Sequence, residues 1–370
     1  MPNDLHSAAG IAPAAGATAA TLLAPGRRTL AERYDAALLD LDGVVYTGPC
    51  AVPGAVSALA AARAAGLRLA FVTNNASRSP SAIAGHLTAL GVTASASDVV
   101  TSAQAAATLI AGRFPAGSPV LVAGAIALRL ALRERGLRPV SVAAERPVAV
   151  VQGFSPDLSY SLLTEAALAV RAGALYVASN ADPTLPTARG LQPGNGSLLQ
   201  VVITATGVRP VVAGKPEPPL HAEAVARTGA RRPLVVGDRL DTDIEGAVRA
   251  GADSLLVLTG VTTPQDAVLA PPGQRPTYLA ADLRGLLEAQ PVVGPRPAAP
   301  DAGAAPGGET GVFRAGGWEA ARRPGSGPLE LAGSGSWIDG LRALCAAAWS
   351  GGELTASMAE QAMKVLGPIA

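Results

Sequence analysis

Aromatic residues make up only 3% of this 370-residue chain, cysteine occurs twice and histidine three times. With so few rings, the interior has to be built from Ala, Val and Leu, which suits helices laid on parallel strands. Cys50 and Cys345 lie far apart in the sequence, so neither a disulfide framework nor a metal-thiolate cluster is expected, and a reducing cytoplasm fits. A formal net charge of +1 gives no field that would attract nucleic acid or anionic lipid, and no dense Arg run does so locally. Uninterrupted apolar runs of about 18 residues are also missing, which argues against a bilayer span. The Ala-, Gly- and Pro-rich start, Met1 to Arg28, lacks the basic opening and apolar core of a secretory signal. What remains is a protein expected to act on a small molecule, in two or three domains at roughly 100 to 200 residues each, as a monomer or a homo-oligomer.

From Ala36 onward, short apolar runs alternate with Ala-rich helical segments, the pattern of βαβ units around a parallel sheet buried on both faces. Four runs end abruptly in polar residues: AALL before Asp40, LRLAFV before Thr73, PVVAG before Lys215 and PLVV before Gly237. Ligands of open α/β sheets bind beyond the carboxyl ends of the strands, so four such ends can serve one crevice. Between the second and third runs lies far more chain than one crossover needs. Its strand-like runs SPVLVAG, RPVAVVQG and ALYVASN alternate with helical stretches around Leu128–Arg135 and Leu162–Arg171.

The expected architecture is α/β: a doubly wound parallel-sheet core over residues 31–105 and 207–290, with an inserted α/β cap over 106–206. A disordered segment (1–30) precedes it, and a Pro/Ala/Gly-rich flexible linker (291–310) follows. A small C-terminal α+β module (311–370) would carry strands VFRAGG and PLELAG and a helix from Trp337 to Trp349.

In LLDLDGVVY, Asp40 and Asp42 stand two apart at a strand end, a spacing that points both carboxylates the same way, and Gly43 lets a ligand approach the backbone. Such a pair can hold a hard cation, attack phosphorus and move a proton. Solvated turn aspartates, or the acidic pair of a metal-dependent glycosyl transferase, would look the same in this segment alone. FVTNNASRS offers Thr73, Asn74 and Asn75 to phosphate oxygens, although helix capping by Ser77 or Ser79 and an asparagine turn also account for it. Lys215 is one of only two lysines, which marks its place at a strand end as suited to balancing a carboxylate and a phosphate. In VVGDRLDTDIEG, Asp238 can reach a metal and Asp243 can orient what surrounds it, unless both belong to an acidic loop with a helix cap. His86 and His221 fall in helical stretches and read as packing or surface residues.

Together LLDLDGVVY, FVTNN, GKPEP and GDRLDTD resemble the haloacid dehalogenase superfamily of phosphohydrolases, in the branch with a large α/β cap. The cap segments SNADPTLPT and LQPGNGSLLQ look like that branch as well, and the tail resembles the acetyltransferase-like extension of actinobacterial glycerol-3-phosphate phosphatases. The resemblance implies a magnesium-dependent phosphatase acting through an aspartyl-phosphate, with Asp40 as nucleophile and Asp42 as general acid and base. Mg2+ would be held by Asp40, the main-chain oxygen of Asp42, and Asp238, with Asp243 behind it. Thr73 and Lys215 would touch the phosphoryl group, Asn74 would help through its backbone, and Asn75, with Asn180 and Asp182 of the cap, are further candidates for substrate contact. A phosphotransferase or mutase on sugar phosphates, or a sensor of phosphorylated metabolites with little turnover, would use the same crevice differently.

Overall fold

The structure, a computed structural model, describes residues 26–187, 189–294, 312–322, 328–352 and 354–367. Most of the expected disordered start and most of the expected linker therefore lie outside the described residues. Contacts divide the chain into two compact units, Met1–Leu69 with Gly229–Ala370, and Ala70–Thr228.

In the first unit, four strands run parallel in the order Tyr278–Ala280, Asp253–Val257, Pro233–Gly237, Ala36–Leu39. Ala36–Leu39 and Pro233–Gly237 are buried along their whole length, which is why they read as unbroken apolar runs and not as alternating ones. Their register aligns the two carboxyl ends. Leu39 lies opposite Val236, and the Asp40 amide donates to the Val236 carbonyl at 2.9 Å, so the residues after both strands leave the sheet at the same edge. At the opposite edge the strands are tied by the Tyr34 hydroxyl, which bonds Asp253 at 2.6 Å and the Tyr278 hydroxyl at 3.0 Å. Burial drives the Tyr34 hydroxyl pKa far up, with Tyr278 and Asp253 pushing the same way, so it stays a proton donor to Asp253.

The C-terminal module has both expected strands, Val312–Ala315 and Leu329–Gly333, and a third between them, Trp318–Arg322, in one antiparallel sheet. Helices Trp337–Ser350 and Ala356–Leu366 complete it. This module does not stand alone. Trp318, Leu341, Leu344 and Leu366 form one apolar cluster with Ile244, Leu256, Val268 and Leu279 of the parallel-sheet layer. Since burying one large apolar side chain is worth about 1.5–3 kcal/mol, several together dock the module firmly.

In the second unit Phe71–Thr73 and Val99–Thr101 pair in parallel. The three runs expected as strands of the cap are strands here. They belong to a five-stranded parallel sheet in the order Val211–Val212, Leu175–Ala178, Ala149–Gln152, Pro119–Ala123, Arg138–Val140. Helices Tyr160–Arg171 and Asn195–Thr206 contribute Ala166, Val170, Leu199 and Val202 to the core with Leu121, Val150 and Tyr176. Parallel sheets with covering helices and a small C-terminal α+β module are the fold class expected from the sequence.

Candidate active site

Asp40 follows its strand directly, and Asp238 follows the neighbouring one. A π-helical turn, Leu240–Ile244, then carries Asp243 back under the strand end, where its carboxylate accepts from the Arg239 amide at 3.2 Å. Such turns are rare and concentrate at functional sites. One carboxylate oxygen each from Asp40, Asp238 and Asp243 lie within 4.8 Å of one another, and Asp238 and Asp243 are each only 1% exposed. Two unit charges 4 Å apart repel by about 4 kcal/mol at an effective dielectric constant near 20. A hard divalent cation bound by oxygen would offset that repulsion, so the donor set fits magnesium or calcium.

Backbone without side chains surrounds this group. Gly43 has φ +79°, and a Cβ there would stand 2.5 Å from Asp238 Oδ2. A Cβ on Gly260 would fall onto the same carboxylate oxygen, and one on Gly237 onto the Asp243 side chain. Asp238 is held in that space by the Val261 amide, which donates to Oδ2 at 2.7 Å. Thr259 donates to the Gly43 carbonyl at 2.5 Å and so ties the loop after Asp42 to the loop carrying Gly260. Asp42 itself is exposed and bridges to Tyr46 through its backbone. Its side chain is not one of the three in the carboxylate group. Sequence reasoning does not single out Gly260, although a glycine shortly after the run DSLLV is the same signal that marks Gly43.

The second unit gathers the other candidates. Thr73 is 5% exposed at its strand end, and its hydroxyl accepts from the Asn75 amide at 3.1 Å. Asn75 Oδ1 takes the Ser77 amide, the Ser77 hydroxyl and the Arg78 amide at 2.8, 2.9 and 3.2 Å, an Asx turn that leads into the helix capped by Ser79. The bland reading of that asparagine, a turn, describes what its carbonyl oxygen does.

Asn74 is placed differently. Its Oδ1 accepts from the Lys215 amide at 2.8 Å, while its Nδ2 donates to the Lys215 carbonyl at 3.1 Å and to both carboxylate oxygens of Asp182 at 3.3 Å. Its carbonyl accepts from Ser102 and Asn180 at 2.7 and 2.8 Å. Lys215 is 4% exposed, and its ammonium donates to the Val72 carbonyl at 3.4 Å, beside Thr73. Asn180, at 6% exposure, spends its amide on Asn74 and takes the Asp182 amide on Oδ1 at 3.3 Å. Ser102 is not singled out by the sequence either; a serine opening an Ala-rich helix carries no signal beyond capping.

Residues 37–138 match the haloacid dehalogenase-like hydrolase family, and residues 212–286 match a related HAD-hydrolase-like one. Residues 315–368 match a GCN5-related N-acetyltransferase like domain. A D-glycerol 3-phosphate phosphatase of Mycobacterium tuberculosis is 56% identical over 259 residues, 70% of this chain and 72% of that protein. An acid sugar phosphatase of Staphylococcus saprophyticus is 37% identical over 70% of this chain and 98% of its own. Among solved structures, the glycerol phosphate phosphatase of M. tuberculosis in complex with magnesium superposes with a TM-score of 0.79 at 46% identity, covering 92% of this chain and 99% of that one. The 4-nitrophenylphosphatase of Thermotoga maritima gives 0.65 at 31% identity, over 70% and 98%. The site and sheet are those of an acid-rich α/β hydrolase. The chain belongs to the haloacid dehalogenase-like hydrolase family.

Proposed function

We propose that this enzyme is a magnesium-dependent phosphatase of small phosphomonoesters, with glycerol 3-phosphate as its substrate and Asp40 as the residue that becomes phosphorylated. As a member of its family it is a phosphoric monoester hydrolase. The observation that carries the reading is the group of three carboxylates, Asp40, Asp238 and Asp243, at adjoining strand ends. The choice of glycerol 3-phosphate rests on the M. tuberculosis relative, whose likeness extends into the C-terminal module.

Asp40 attacks phosphorus while the bond to the departing alkoxide breaks, and Asp42 supplies the proton that alkoxide needs. Asp42 then takes a proton from water as the water oxygen attacks the acyl phosphate, which releases inorganic phosphate and restores Asp40. An exposed side chain suits Asp42, since it must meet both a leaving group and water. Asp40, the Asp42 carbonyl and Asp238 would hold Mg2+, with Asp243 behind it, and the ion would supply positive charge to offset that of the phosphoryl oxygens. Thr73, the Asn74 amide and Lys215 bind those oxygens, which is where most of the barrier to phosphoryl transfer is removed. Asn75 shapes that loop, and Asn180 and Asp182 hold Asn74. Among the described residues no helix is long and apolar enough to cross a membrane. Cys50 and Cys345 are both free thiols, in keeping with a cytoplasmic setting.

The test is phosphate release from glycerol 3-phosphate and from a panel of sugar and nucleotide monophosphates, with and without magnesium. Release should need the ion, be fastest on glycerol 3-phosphate, and vanish in Asp40→Asn. Equal rates across the panel would remove the substrate assignment, and wild-type release by Asp40→Asn would remove the nucleophile.

A further inference from the structure

Three loops of the second unit meet at one carboxamide. Asn74 follows the strand that ends at Thr73, Lys215 follows Val211–Val212, and Asp182 follows Leu175–Ala178. A primary amide has one acceptor oxygen and two donor hydrogens. At Asn74 the acceptor faces the Lys215 N–H, one donor direction faces the Lys215 carbonyl, and the other faces Asp182. The reverse orientation would set NH2 against N–H and oxygen against the Lys215 carbonyl and the Asp182 carboxylate, so these partners admit a single orientation.

We propose that Asn74 is a positioning residue for Lys215, clasping both backbone groups of the lysine, and that Asp182 aligns the clasp. This rests on the reading of Lys215 as a phosphoryl-binding group. A lysine is a flexible point charge on a four-carbon stem, so its placement depends on where its backbone is fixed and what its head group touches. Here the backbone is fixed at both N–H and C=O, and the ammonium meets the Val72 carbonyl in the strand leading to Thr73. Asn74 therefore joins the lysine loop to the threonine strand. Gly214 is what lets it come so close: a Cβ there would stand 2.5 Å from Asn74 Oδ1 and 2.6 Å from the Ser179 carbonyl. The Asn74 main chain is pinned independently, by Ser102 and Asn180 on its carbonyl, so changing its carboxamide disturbs the lysine before it disturbs the loop.

The near-isosteric change Asn74→Asp keeps the acceptor for the Lys215 amide but loses both donors and places a carboxylate against Asp182. Loss of about an ångström of precision at such a group lowers kcat/KM by roughly 10–100-fold. Because the lysine binds phosphoryl oxygens, inhibition by inorganic phosphate should weaken as well. The double variant Asn74→Asp/Asp182→Asn restores a donor facing an acceptor at that contact and should recover part of the loss, which a general packing defect would not do.

The deciding measurement is a double-mutant cycle of kcat/KM and phosphate inhibition on full-length protein, with Lys215→Ala as the second change. Once the lysine side chain is gone, Asn74→Asp should cost little more. If Lys215→Ala is crippled and Asn74→Asp still takes its full factor in that background, the clasp does not act through the lysine and the inference fails alone. If Lys215→Ala releases phosphate at the wild-type rate, the phosphoryl-binding role of Lys215 fails and takes the inference with it. Asp182→Asn alone gives a second reading, expected to shift kcat/KM in the same direction by a smaller factor. Parallel kinetics for Asp182→Asn and wild type would remove the aligning role.

Discussion

Arg342, on a helix of the C-terminal module, donates through Nε to the Leu279 carbonyl of the parallel sheet at 2.9 Å, with the residue only 5% exposed. Asp339 pairs with its Nη1 at 2.7 Å. A buried charge-assisted bond across two layers that also share an apolar cluster makes the module part of the catalytic unit's fold. Arg342→Met keeps most of the apolar stem and removes the donor from the carbonyl, so unfolding in urea should show a loss of about 1–3 kcal/mol. A change below roughly 0.5 kcal/mol would mean that the module's contact with the sheet is carried by packing alone.

The space around Asp238 makes Gly260 a direct test of the cation site. An added methyl at Gly260 meets the Asp238 carboxylate, which must then shift from its place in the group with Asp40 and Asp243. Gly260→Ala should fold and should need about 10–100-fold more magnesium for half-maximal activity. Titrating activity against magnesium, with a thermal melt as control, checks this. An unchanged magnesium requirement would show that Asp238 is not holding the ion.

Much of this is legible in the sequence because strand ends announce themselves: an apolar run that stops at Asp40 or at Gly237 marks where the next carboxylate emerges. Asp243 is expected behind the metal, and its carboxylate stands in the same 4.8 Å group as those of Asp40 and Asp238. Its position depends on a π-helical turn, and nothing in the composition of LDTDI distinguishes that turn from an ordinary first helical turn. Asn74 is expected to serve phosphate through its backbone, while the target of its side chain lies 141 residues away, because donor and acceptor matching across loops leaves no periodic trace. The C-terminal helix shows an apolar face, but periodicity says only that such a face is covered. Its partners, Leu256, Val268 and Leu279, come from the parallel-sheet layer.

Asp243 and Asp42 can be separated by what each variant does to the ion. Asp243→Asn weakens one oxygen of the carboxylate group and should raise the magnesium requirement by about 10–100-fold, with much of kcat recovered at saturation. Asp42→Asn removes the proposed proton donor and should lower kcat by about 100- to 10,000-fold at any magnesium concentration, leaving half-saturation unchanged. Should both variants show the same magnesium dependence as wild type, the part of Asp243 would be structural, as in its bond to the Arg239 amide, and not in holding the ion.

A last prediction concerns pH and stability, away from the site. Asp35 precedes the strand that delivers Asp40, and its carboxylate accepts from the amides of Arg231 and Arg232 at 2.8 and 2.9 Å and pairs with Arg68 at 3.3 Å. Burial alone would push the Asp35 carboxyl up, but those two amides and the Arg68 guanidinium outweigh it and hold the pKa below the usual carboxylate value. A folded-state pKa lower than the unfolded one means the charged form is favoured by folding, so this contribution is complete above the unfolded pKa, about 3.9, and is lost as pH falls through the folded value. Asp35→Asn should therefore be less stable than wild type at neutral pH, and the gap should close as the pH is lowered below that point. Urea unfolding of both proteins at a series of pH values reads the difference directly. A gap that stayed constant into acid would mean that the carboxylate is not stabilised in its charged form, and that the amides of Arg231 and Arg232 are served equally well by a neutral side chain.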